Sequence, residues 1–149
     1  MVSQTVNRGR VLTGRLEKGV DLLPALEQIC RHENIELAAI QAIGAVSSAR
    51  VGYYRQAEMT YTYLDFPAPH EIIALQGNVS LKDGRPFVHA HVALMGADGR
   101  LVGGHLAEKT IVFACEYVIT EYIQGHGGIF ERVLDQPTGL YLWPDHNKK

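Results

Sequence analysis

Three of the chain's seven histidines fall in one stretch, Pro86 to Ile111 (PFVHAHVALMGADGRLVGGHLAEKTI). Neutral imidazoles are the commonest protein ligands for metals, so three of them in one short stretch raise the question of a metal site. Phe87 to Met95 is apolar and β-branched enough for a strand, with polar interruptions only at His89 and His91. Successive strand side chains alternate faces. Val88, Ala90, Val92 and Leu94 therefore make one apolar face, and His89 and His91 share the other. Ala97-Asp98-Gly99 is a turn signal, and Leu101 to Leu106 reads as the returning partner strand.

Where His105 lands depends on that turn. A two-residue Asp98-Gly99 loop pairs Ala97 with Arg100 and sets His105 opposite Val92, on the apolar face. A three-residue Ala97-Asp98-Gly99 loop, with Gly99 left-handed in a bulge, pairs Gly96 with Arg100 and sets His105 across from His91. In the second register the opposed Cβ atoms lie ~4.5–5.5 Å apart and the diagonal to His89 is ~7–8 Å. Three imidazoles meeting there suit a divalent cation held at ~2.0–2.1 Å per nitrogen. No fourth ligand stands out in the hairpin, which is the pattern of a site open to water or substrate. The competing reading is three unrelated histidines. Gly103-Gly104, just before His105, marks a bulge or a close approach by a ligand or another backbone. The second register places His91 between the other two, so His91→Ala is expected to remove the most metal.

The elements that must carry this hairpin read as follows. Gly9 to Leu16 is a first strand. Arg8-Gly9-Arg10 resembles the core of an AT-hook, but valine follows where that motif has proline, and the arginines read as solvated edge charges. Asp21 to His32 is a helix with Asp21 as N-cap, Pro24 in the first turn and a buried stripe of Leu22, Leu26, Ile29 and Cys30. Glu27, Gln28 and Arg31 fall outside that stripe. Ile35 to Val46 is apolar at nearly every position and reads as a central strand. Ser47-Ser48 is a turn, and Ala49 to Arg55 the next strand, with Tyr53 and Tyr54 on opposite faces, one of them in the core. Met59 to Leu64 reads as an edge strand, Asp65 to Pro69 as a loop and Glu71 to Val79 as a strand.

Lys109 to Tyr122 is long, β-branched and aromatic, and reads as strand to about Thr120. Gly125 to Gly128 reads as a flexible turn. Ile129 to Leu134 and Gly139 to Trp143 are two short last strands, and the final residues form a frayed tail. Two acids qualify as catalytic candidates. Glu71 is an exposed strand cap or a carboxylate facing a pocket. Glu116 has apolar neighbours, and if buried it must be paired, so a salt bridge is the favoured reading and a catalytic role the alternative.

The 149 residues, with 46% hydrophobic and 20% charged, read as one α+β domain over residues 1–149, of mostly antiparallel sheet backed by one main helix. A formal net charge of -2 gives no general attraction to nucleic acid or anionic lipid. Cys30 and Cys115, the two cysteines, sit in apolar segments with no metal or disulfide spacing. No signal peptide, long apolar run, repeat, P-loop or dinucleotide fingerprint appears, and a cytoplasmic protein is the default expectation.

From about Arg10 to Leu142 the chain resembles the PPC (plants and prokaryotes conserved) domain family. The segments that carry the resemblance are RVLTGRLEKGVDLLPALEQIC, AAIQAIGAVSSARVGYY, HEIIALQGNVS and above all GRPFVHAHVALMGADGRLVGGHL. The resemblance implies an α+β homotrimer whose H-x-H and G-G-H segments hold a divalent metal, taken as zinc, mapping onto His89, His91 and His105. It also implies two functional pictures. Plant members join the domain to AT-hooks and use it for self-association and partner binding, and prokaryotic members carry a DNA-binding label by analogy. The fold is similar as well to acetolactate decarboxylase, whose three-histidine zinc site works on a small carboxylate, which makes a metal-dependent lyase or hydrolase the alternative reading.

Overall fold

Eighteen consecutive residues, Ala38–Arg55, form one strand where a turn at Ser47-Ser48 was expected. The structure is a computed structural model that describes residues 3–124 and 130–144. Its elements are β1 (Val6–Leu16), α1 (Leu22–His32), β2 (Ala38–Arg55), β3 (Thr60–Phe66), β4 (His70–Lys82), β5 (Arg85–Met95), β6 (Leu101–Leu106), β7 (Ile111–Gln124), β8 (Val133–Asp135) and β9 (Leu140–Leu142). Serine pairs carry no positive-φ residue to reverse the chain. The strand instead absorbs the irregularity as register shifts against β7, between Ala45 and Val46 and between Val46 and Ser48. The expected turn at Gly125 to Gly128, the residue Ile129 and the tail beyond Pro144 lie outside the described residues.

The shifts let β2 serve two sets of partners. Its first half pairs with β7 on one side and β4 on the other, and its second half pairs with β3 and, through Val51 and Gly52, with β6. All pairings in the seven-stranded sheet are antiparallel, in the order β1-β7-β2-β4-β5-β6 with β3 on β2. Because β6 returns to β2, strands β2, β4, β5 and β6 close into a ring. Asp65 and Phe66, expected in a loop, are the last rungs of the β2–β3 ladder.

One face of the sheet is dry. Val88, Ala90, Val92 and Leu94 of β5, Leu75 and Val79 of β4, Ala38 and Ile40 of β2 and Ile119 of β7 are all buried, with Leu22, Leu26 and Cys30 of α1 closing over them. Each buried aliphatic side chain contributes roughly 1.5–3 kcal/mol of transfer free energy, so this layer is what fixes the strand alternation. The helix differs from expectation in two details. Asp21 makes no side-chain cap bond, and its Oδ2 accepts the Lys109 N–H at 2.5 Å instead. Glu27 is half-buried rather than outside the stripe, its Oε1 accepting the Val88 N–H at 3.3 Å.

Arg10 is likewise more than a solvated charge. It donates to both carboxylate oxygens of Glu121 (2.8 and 3.2 Å) and to the Glu33 carbonyl (2.7 Å), tying β1 to β7 and to the end of α1. Neither tyrosine of the Tyr53-Tyr54 pair enters the core. Tyr53 is 68% exposed, and Tyr54 is half-buried with its hydroxyl donating to the Thr138 carbonyl at 2.6 Å.

Candidate metal centre

The turn resolves the register in favour of the three-residue loop. Gly99 has φ of 75°, its N–H donates to the Gly96 carbonyl at 2.9 Å, and the Gly96 N–H donates to the Arg100 carbonyl at 3.0 Å. Asp98 Oδ1 accepts the Arg100 N–H at 3.0 Å and holds the loop shape. With Gly96 and Arg100 paired, the ladder brings His91 directly opposite His105.

The glycine pair makes this possible by removing side chains where backbones touch. A Cβ on Gly103 would lie 2.3 Å from the Val92 carbonyl oxygen, and one on Gly104 would lie 2.6 Å from that of Gly52. Gly103 thus lets β6 approach β5, and Gly104 lets it approach β2. Gly52 is itself the partner of His105, and the ring of Tyr61 packs over the histidine at 5.1 Å between centroids.

The three imidazoles form a nearly equilateral group, with ring centroids 5.0 Å apart for His89–His105 and 5.5 Å for each of the other two pairs. His91 is therefore a corner of the triangle and not its middle. It is also the exposed member, the other two being half-buried. One nitrogen from each ring lies within 4.8 Å of the others. A tetrahedral centre with ~2.0–2.1 Å bonds sets neighbouring ligand atoms roughly 3.3 Å apart, a distance reached by small rotations of the rings. The buried Nδ1 of His105 has no hydrogen-bond partner among the described residues, as expected of an atom that needs a ligand. The donor set fits a borderline divalent cation.

The electrostatics keep the His89 and His105 rings in the binding form. Burial, then the positive Arg132 and then His91, pull the His89 imidazole down from 6.5 to about 4. Burial, followed by His89, His91 and Arg132, does the same to His105, also to about 4. Neutral imidazole is the form that ligates, so protons compete weakly at these two positions near neutral pH.

Neither acid reaches the histidines. Glu71 is exposed and pairs with Met95, four residues along β5 from His91, which is about 13 Å of strand. Glu116 is exposed rather than buried, opposite Arg15 and Ile43, and three strand spacings of roughly 14 Å separate β7 from β5. Its apolar neighbours left burial open, and the sheet face on which it stands is open to solvent. Water solvates the carboxylate, and no salt bridge is needed.

Beside His89 and His105 opens a cleft of about 650 Å³, and sequence reasoning missed most of its walls. Arg50 of β2, Tyr61 of β3, Lys82 of β4 and Phe87 of β5 line it, together with Arg132 and Tyr141 from the C-terminal segment. Arg132 is 6% exposed and donates to Asn78 Oδ1 (2.6 Å) and to the Tyr141 carbonyl (3.1 Å). Asn78 pairs with His89 across β4 and β5, so Arg132 is held one rung from the histidines. The only sequence signal for it was an arginine in a short apolar run, IFERVL, with no periodicity to say which way it turned.

Solved structures and curated proteins share this fold and sequence. A metal-containing protein of Archaeoglobus fulgidus superposes with a TM-score of 0.90 and is 41% identical, over 97% of this chain and 100% of the other. A plant- and prokaryote-conserved (PPC) protein of Pyrococcus horikoshii gives 0.89 and 38%, over 97% and 98%. A proposed DNA-binding protein of Ralstonia eutropha gives 0.77 and 26%, over 87% and 88%. Among curated proteins, the bifunctional protein GlmU of Synechococcus sp. (strain JA-3-3Ab) is 33% identical over 132 residues, 87% of this chain and 20% of that protein. The chain thus spans about a fifth of the length of that relative. The model of the Plants and Prokaryotes Conserved (PCC) domain, the PPC domain of the sequence reading, matches residues 3–123. The chain belongs to the PCC domain family.

Proposed function

We propose that this chain is a homotrimeric metal-binding module in which His89, His91 and His105 hold one divalent cation, zinc or a similar borderline metal, beside a cleft that stays open. The observation that carries the reading is the pairing of His91 with His105, which gathers three ligand nitrogens within 4.8 Å of one another. The A. fulgidus relative, described as metal-containing, adds weight. Imidazole suits zinc, copper, iron and nickel, so availability decides among them. Trimer formation draws support from the sheet face opposite the helix, where Val11, Ile43 and Val118 stand exposed, Ile43 by 57%. The module's role is then to present the assembled surface to a partner. DNA is one candidate, on the strength of the R. eutropha relative, although a net charge of -2 supplies no general attraction to it.

The test is elemental analysis of protein purified after growth with zinc. About one metal per chain is expected in the wild type, with a loss in each of His89→Ala, His91→Ala and His105→Ala, because each leaves two ligands. Glu71→Gln and Glu116→Gln should keep the metal. A wild type without metal, or a triple-histidine variant with as much as the wild type, overturns the reading.

A second reading, a metal-dependent lyase or hydrolase for a small carboxylate, is favoured by the cleft itself. His89 and His105 stand in its wall next to Arg132 and Lys82, so a substrate there would meet both cationic side chains and the metal position. A cation bound by the histidines would supply Lewis acidity to a substrate oxygen. The chain's own residues would orient the substrate and, with Tyr61 over His105, keep water from one side of it. No membrane role is proposed; no helix of the described residues is long and apolar enough to cross a bilayer.

A further inference from the structure

Among the described residues, the guanidinium of Arg132 is buried without an anion. Its two hydrogen-bond partners, Asn78 Oδ1 and the Tyr141 carbonyl, are neutral, and its Nε has no partner among the described residues. The rings of Phe87 and Trp143 each lie 5.5 Å from its Cζ and shield it from water. Burial of a charge without a counter-charge is costly unless something else compensates. Here burial also lowers the Arg132 pKa. Two further cations border the same cleft. Lys82 Nζ sits 3.6 Å from the centroid of the Tyr141 ring, and Arg50 lies over Tyr63 with Asp65 Oδ1 at 3.5 Å from its Nε. Glu108 is the one acidic residue in the lining. The fold keeps three cations around a largely apolar hollow and gives Arg132 no anionic partner among the described residues.

We propose that the cleft binds a small organic carboxylate, with its anionic head on Arg132 and its apolar body against Tyr61, Phe87 and Tyr141. Of the five N–H donors of this planar fork two are spent on fixed neutral acceptors, so the guanidinium is held in one orientation at the cleft wall and the N–H left on its Nη atoms favours a carboxylate oxygen over a diffuse ion cloud. Arg132 and Tyr141 both follow residue 123, where the family match ends, so this anion anchor belongs to the chain's C-terminal segment. The proposal deepens the carboxylate reading of the histidine centre, but the Arg132 contact does not require the metal.

The experiment is calorimetric titration of the full chain, zinc-loaded and chelator-stripped, with benzoate, its neutral counterpart benzamide and inorganic phosphate at constant ionic strength. Benzoate should bind saturably, benzamide at least about 10-fold more weakly, and Arg132→Gln should weaken benzoate by about 10-fold or more, the factor expected for one charge-assisted hydrogen bond. Arg132→Gln should leave the zinc content unchanged, which separates this proposal from the metal reading: a wild type that binds benzoate but no zinc keeps the anchor and loses the metal. Should Arg132→Gln fail to fold, the wild-type Arg132 guanidinium N–H resonances provide the readout, and benzoate should shift them. Equal binding of benzoate and benzamide, tighter binding of phosphate than of benzoate, unmoved Arg132 guanidinium resonances, or a folded Arg132→Gln variant with wild-type affinity would each overturn the proposal.

Discussion

Replacing Gly104 by alanine puts one methyl group at the point where β6 closes on β2. The added Cβ would lie 2.6 Å from the Gly52 carbonyl oxygen, so the strands must open until that distance is at least 3.0 Å. Backbone oxygens in a ladder do not swing aside as a side-chain tip does, so the whole of β6 has to move. Overpacking of this kind costs ~1–3 kcal/mol, while removing a glycine from the unfolded chain returns ~0.4–1 kcal/mol. The net expectation is a loss of up to roughly 2.6 kcal/mol in metal-free protein, measured by urea unfolding. His105 is the next residue and moves with the strand, so zinc affinity, read by chelator competition, should fall as well. Gly52→Ala is the control: its Cβ would meet Tyr61 Cδ1 at 3.0 Å, and a ring can turn, so the stability loss should be smaller. A Gly104→Ala protein as stable as the wild type, with unchanged zinc affinity, would refute the claim that a close backbone approach sets the histidine geometry.

Two further outcomes follow from the same structure. In metal-free protein, His89 and His105 hold pKa values of about 4 against 6.5 in the unfolded chain, so the folded state binds fewer protons between those limits. Stability should therefore be fully present above pH 6.5 and fall as the solution is acidified towards pH 4, by at most about 1.4 kcal/mol per pH unit for each imidazole. Thermal unfolding across that range checks this, and the profile of a His89→Gln/His105→Gln double variant should be flatter. Light scattering should give three times the protomer mass for the wild type, and Ile43→Asp, which places a charge in the exposed apolar face, should lower it.

The sequence was most legible where a rule is local. The turn residues Ala97-Asp98-Gly99 and the alternation of β5 carry the histidine register, because a hairpin's pairing is set by its own loop. It was least legible where contacts span long separations. Nothing in the stretch from Ala38 to Arg55 says that the strand will bend through Ser47-Ser48 and then meet β6. Arg132 reaches Asn78 across 54 positions, and no periodicity encodes that meeting. Glu116 shows a third limit. Apolar neighbours on both sides left its burial open, because an apolar sheet face can remain exposed in the single chain, and only the three-dimensional layering separates the two cases.

The ring of β2, β4, β5 and β6 bears on how the chain folds. Three of its joints are made by long ladders, two of them between sequence neighbours or near neighbours, but the last, β6 to β2, has two residue pairs, Val51 with Leu106 and Gly52 with His105. Those pairs join residues more than fifty positions apart in sequence, so they are entropically expensive to form early and should be among the last to lock. The histidine group spans the neighbouring joint, with two members on β5 and one on β6, and His105 is itself half of a closing pair. A cation held by all three would staple the final strand in place. Amide exchange in β6 should then be the segment most slowed when metal is added, and the site would report whether the ring has closed.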